Sequence, residues 1–434
     1  MPSFSCRAVT QWISVLCLLA AIFSLDGLAS AQAGAGSKRK PSQQSLLNPH
    51  PVASAAAARR TTAAAPPPLA SDSWTGTAGD NNWSNAGNWS SGMPTSADAV
   101  TIGTAKANVN MDTVGTFGTL TLSGSGDTLT ILTGNILTAD GNITNAGTIT
   151  LNSTGAPTEL VLGANVTLSG AGTLTLSNNV NNEILGSATT DTLTNQETIQ
   201  GAGNIGNGSM TLVNSGTINS NQTAGLTIQA NGGMTNTGTV KATAGSTLGL
   251  IGMTVGNTGG TISANGGSVQ LFATTVNGGA VTLTGASSLQ LNNSTIHGGS
   301  TLTNSATGTI EVANGTNVLG GTINNSAGGT LKIDNGAALN LEAGTYSQLG
   351  AVQLNSTGNV TQLGTVGNVT LSGGTLTLSN NVNNVIQGSA TTDTLTNQET
   401  IQGAGNIGNG QMTLVNSGTI NSNQTAGLTI QANG

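Results

Sequence analysis

The stretch Gly172–Gly232 returns at Gly374–Gly434, 202 positions later, with 58 of its 61 residues unchanged. The changes are Glu183 to Val385, Leu185 to Gln387 and Ser209 to Gln411. A compact core has no place for an extra segment of this size. A solenoid does, because each of its units touches only the units before and after it.

A shorter period lies inside the copy. The phrase Asn-x-Gly-Thr-Ile, or a near variant, recurs at Asn145–Ile149, Asn214–Ile218, Asn236–Val240, Asn257–Ile262, Asn304–Ile310, Asn325–Leu331 and Asn416–Ile420. Thr217, Thr239 and Thr261 follow one another at equal steps, and the step from Thr309 to Thr330 is one position shorter. A period near 20 is too short for a domain and fits one solenoid coil. Within a coil, runs such as GTLTL, TITL and LTIQA place an apolar residue at every second position. That is the strand period, with one face dry and one wet. Asn, Gly and Ser cluster between the runs, where corners need positive φ.

The fold expected is therefore all-β, a parallel β-helix of about 20-residue coils spanning 111–434. At ~21 residues per coil and ~4.8 Å per stacked strand, this gives about 15 coils and a rod of roughly 70 Å. Composition agrees. Charged residues are 6% of the chain, where a typical globular domain has about 25%. Aromatics are 2%, so stacked small aliphatics must supply the core.

The N-terminal part is different. Residues 1–33 have the form of a secretory signal peptide: Arg7, then the apolar run Trp12–Phe23, then small residues around Ala31 and Ala33. The run is too short to span a bilayer comfortably. Cys6 and Cys17 are the only cysteines and both lie in this leader. The mature chain would have no disulfide and no cysteine-bound metal. Residues 34–72 are Ala/Pro-rich and carry five basic residues, the pattern of a disordered linker. From Ser73 onward three Lys face 14 acids, which speaks against a nucleic-acid partner.

Residues 73–110 hold three of the four tryptophans, Trp74, Trp83 and Trp89. Two roles suit them: a glycan-stacking platform, or a cap over the apolar end of the first coil, the role favoured for an atypical terminal unit. The segment, with Trp74, Gly76, Trp83, Asn88, Trp89, Ser90, Gly92, Pro94, Asp98, Val100 and Ile102, resembles a block that precedes β-strand repeats in autotransporter passengers and filamentous-haemagglutinin-like adhesins. The Asn-x-Gly-Thr-Ile repeats resemble theirs as well. The resemblance covers residues 73–434 and implies an exported β-helix, secreted or at the cell surface. The implied role is adhesion to host or bacterial glycans or proteins, or service as a stalk. The sequence stops inside the second copy with no capping segment after it, which would leave an unpaired edge, so the chain is expected to be a truncated form from which a C-terminal outer-membrane translocator is missing.

Chemistry is sparsely encoded. No Arg follows Arg60, and His297 has no acid within ten residues on either side. Lys106, Lys241 and Lys332 are far apart, as are most acids: Asp191 and Glu197 are six apart, Asp334 and Glu342 eight. The acids are expected to be solvated residues on turns; Glu311 and Asp334, about one coil apart, are the pair that stacking could bring together. The glycines at Gly201, Gly203, Gly206 and Gly208 read as turn residues, with no phosphate-loop Lys after them. The expectation is no enzyme, no catalytic residue, no cofactor and no metal. A carbohydrate-binding or carbohydrate-active β-helix is the alternative, and acids from different coils converging in a groove beside a Lys would favour the enzyme. Pairs such as Thr128/Thr130, Thr148/Thr150 and Thr173/Thr175 raise ice binding as a last alternative, weakened because they keep no strict coil spacing.

Overall fold

The computed structural model describes residues 68–103 and 106–433. The signal-peptide and most of the linker expectations lie outside them. The described part is all-β, a parallel solenoid of about 15 coils. Each coil visits three faces in order, and each strand pairs in parallel with the equivalent strand of the next coil. Face 1 begins with Ala70–Ser73 against Asp98–Ile102. Face 2 begins with Asn108–Met111 against Thr128–Leu132, and face 3 with Gly115–Phe117 against Ile136–Ala139.

The two-residue alternation does the folding. In Thr128–Leu132, Leu129 and Ile131 are buried while the threonines are half-exposed. Each coil repeats this, so Leu129, Ile149, Leu174, Ile199, Ile218 and Val240 form one buried column in register. Burying each such side chain contributes about 1.5–3 kcal/mol. The coil-to-coil pairing satisfies the backbone polar groups at the same time.

Two boundaries differ from the sequence expectation. Ala70–Ser73 is already a strand, so the folded part starts inside the segment assigned to the linker (34–72). Coils begin at Asp98 rather than 111, because Asp98–Ile102 and Asn108–Met111 pair in register with the strands of the next coil. The Trp-rich segment proper lies before them.

Coil length varies. On face 2 the step from Thr148 to Thr173 is clearly longer than that from Thr198 to Thr217. The register is nevertheless kept. The corners absorb the difference, so the outward threonines do stack. Thr128, Thr148, Thr173, Thr198, Thr217, Thr239 and Thr261 follow one another rung by rung. Ala280, Thr301 and Thr322 continue the column.

The asparagines of the repeat phrase mark a corner. Between faces 1 and 2, Asn195 Nδ2 donates to Asn214 Oδ1 at 2.8 Å, Asn214 to Asn236 at 2.8 Å and Asn236 to Asn257 at 2.7 Å. After Asn257 the ladder leaves this corner and resumes between faces 2 and 3, where Asn304 donates to Asn325 at 2.9 Å and Asn397 to Asn416 at 2.7 Å. The threonines of the phrase record the same shift. Thr261 lies on face 2, and Thr309 lies on face 3, two coils and one face further on. The repeated 61-residue copy shifts with it. Thr173 lies on face 2 and Thr375 on face 3; Asn182–Gly186 lies on face 3 and Asn384–Gly388 on face 1.

Candidate functional site

Trp74, Trp83 and Trp89 meet at the N-terminal end of the solenoid. Trp89 stands edge-on to both others, with ring centroids 5.0 Å from Trp74 and 4.7 Å from Trp83. Trp89 Nε1 donates to the Trp83 carbonyl at 2.8 Å. Gly115 makes room for them: a Cβ there would lie 3.0 Å from Trp83 Nε1. All three side chains are at most 5% exposed. Rings this buried offer no open face to a pyranose.

The acids expected to stay apart do not all do so. Glu311 and Lys332 are neighbours in register on face 3 and form an ion pair, with Asp334 Oδ1 3.5 Å from the same Lys332 Nζ. Gln290 Nε2 donates to Glu311 Oε2 at 3.0 Å. Burial alone would raise the Glu311 carboxyl, but hydrogen bonds from Lys332, Asp334 and Gln290 hold it below the usual range. Asp334 is pushed up by burial and by its neighbour Glu311. The hydrogen bond to Glu311 raises the Lys332 ammonium. Two carboxyls driven apart beside a cation is the arrangement acid–base chemistry uses. Here it sits on the outward side of a sheet, and the ion pair occupies the groups.

His297 is not alone either. Glu342, two coils on, places Oε1 2.7 Å from His297 Nδ1 and accepts from Gly298 N at 2.8 Å. Its side chain reaches back across Gly320, where any side chain would collide with the carboxylate. Tyr346 Oη donates to the Glu342 carbonyl at 2.7 Å, and burial pushes this phenol up to about 12.

The same device recurs at Glu197, which the sequence reading weighed only against Asp191, and at Glu399, which it missed. Glu197 and Glu399 stand where the repeat phrase has Gly: Asn-Gln-Glu-Thr against Asn-Ser-Gly-Thr. Glu197 reaches over the corner at Gly170–Gly172, which carries no Asn, and accepts from Asn145 Nδ2 at 3.1 Å. Glu399 reaches toward the equivalent corner and takes Gly374 N at 3.4 Å. Burial pushes both carboxyls up to about 7. The signal was present in the sequence as a charge at a motif position otherwise held by Gly. Asp191 takes no part; it closes its own turn on Ser187 Oγ and Ala188 N. Among the described residues, no group of three or more His, Cys, Asp or Glu could hold a metal ion.

No protein-family profile, curated protein or solved structure matches this chain. The class is therefore defined by the fold alone, a parallel β-solenoid.

Proposed function

We propose that the chain is an exported surface rod, an adhesin or structural stalk, that presents a neutral polar face over many coils and has no catalytic centre. The face-2 threonine column carries this reading. Nine of its ten rungs from Thr128 to Thr322 are Thr, and Lys241 is the only charge on the strands behind them. Each rung contributes little, so binding to a repetitive partner grows with the number of rungs engaged. Host or bacterial surface glycans and proteins are such partners. The signal-like leader and the resemblance of the Trp block support export to the cell surface. The test is a series of chains shortened by whole coils. Retention on glycan or cell surfaces falls steeply with each loss, while Glu311→Gln and Asp334→Asn change nothing. Polysaccharide cleavage by the whole chain that Glu311→Gln abolishes would overturn the reading in favour of a carbohydrate-active enzyme.

Ice binding gains from the same column, since seven consecutive threonines in register present methyl and hydroxyl groups at the rung spacing of about 4.8 Å. Thermal hysteresis that Thr198→Tyr removes would establish it. Freezing and melting points that coincide would end it.

A further inference from the structure

The corner beneath Glu399 contains two buried acceptors that no donor reaches. Gln348 Oε1 and Glu399 Oε1 both lack a hydrogen-bond partner, and their residues are 3% and 5% exposed. Both side chains line one void of about 10 Å³, otherwise walled by leucines such as Leu331, Leu363, Leu371 and Leu376. A void of that size holds the centre of one water, given at least two polar partners. Two oxygens that only accept cannot bond each other, and leaving both unpaired costs about 1–3 kcal/mol each.

We propose that this corner is a binding site for a single water molecule, held between Gln348 Oε1 and Glu399 Oε1. The balance of hydrogens favours it in both charge states. When Glu399 is ionised, the water donates one hydrogen to each oxygen. When Glu399 is protonated on Oε1, the acid donates to the water, and the water donates to Gln348. No proton is created or lost within the corner in either case. The other copy shows the contrast. Asn145 takes the place of Gln348 there and turns its amide nitrogen directly onto Glu197 Oε1. Gln348 makes no such bond, and its Oε1 stays unpartnered. The site therefore distinguishes two copies that are otherwise nearly identical.

High-resolution diffraction from the whole chain tests it. The expected result is one ordered, buried water within hydrogen-bond distance of both Oε1 atoms. A dry void with Gln348 Nε2 bonded directly to Glu399 would overturn the proposal. Carbon-detected titration gives a second readout, with Glu197 as reference in the same spectrum. Gln348→Asn is expected to expel the water, restore the direct amide bond and lower the proton affinity of Glu399 several-fold, leaving Glu197 unmoved. Gln348→Leu, which fills the void, is expected to raise that affinity. If the Glu399 titration stays unchanged in whichever of the two variants folds, by circular dichroism, the proposal fails.

Discussion

The proximal copy, Gly172–Gly232, and the distal copy, Gly374–Gly434, are nearly the same sequence set one face apart. Their corners at Asn182 and Asn384 are nonetheless alike. Asn182 Nδ2 donates to the carbonyls of Ser177, Asn179 and Ala202 at 2.9, 2.9 and 3.1 Å. Asn384 does the same to Ser379, Asn381 and Ala404 at 2.8, 3.0 and 3.1 Å. Gly201 and Gly403 hold φ of +126° and +125°. The corner is thus written locally, and the three faces are interchangeable platforms for it. Within the copies, the substituted residues change the contacts with the neighbouring rung. Glu183 stands beside Glu159 on the neighbouring rung, and burial together with that like charge raises its carboxyl. Its counterpart Val385 stands beside Gln362, and Gln387 donates to Gln362 Oε1 at 3.1 Å. All three substitutions fall on strand or turn positions.

The sharpest way to break the equivalence of the corners is Gly201→Val against Gly403→Val. A Cβ at either would strike a carbonyl oxygen of the preceding coil, Leu176 or Leu378, from a left-handed backbone. Each is expected to cost roughly 2–4 kcal/mol in denaturant unfolding. Unequal costs would show that face matters after all.

Asn214→Ala removes the middle of the four-residue amide ladder and leaves Asn195 and Asn236 short of a partner, for about 2 kcal/mol. Asn416→Ala, at an exposed position, is expected to cost under about 1 kcal/mol. Amide hydrogen exchange across each corner separates the two.

A third expectation concerns pH. Burial holds the folded Glu197 carboxyl near 7 against an ordinary value of 4.5, despite the bond from Asn145. The folded chain binds this proton more tightly than the unfolded one. The stabilisation is full below pH 4.5 and is lost as pH rises to 7. Unfolding midpoints are expected to fall over that window, and Glu197→Gln to remove about 1–2 kcal/mol of the fall.

The smallest effect is Glu183→Val, which copies the distal residue. Relief of the Glu159 contact is expected to gain about 0.2–1 kcal/mol above pH 6 and nothing in acid, measured by the same unfolding curves.

The alternating runs and the motif period were enough to read the parallel solenoid and its coil number, because strand periodicity and corner chemistry act over a few residues. The constellations were not legible in the same way. His297 with Glu342, and Glu197 with Asn145, join positions 45 and 52 apart, two coils in each case. Glu311 and Asp334, separated by a single coil, were the one acid pair whose meeting the spacing suggested, against the expectation of solvated turn acids.

What the sequence by itself determined is the coil: which residues turn inward, where the chain bends, and that copies of it stack. What only the tertiary structure decided is which face each coil presents and which acids meet. Coils as unequal as Thr148 to Thr173 and Thr198 to Thr217 are brought into one register by their corners. The phase around the axis therefore depends on pairing with the coil beneath, a property that no single coil carries.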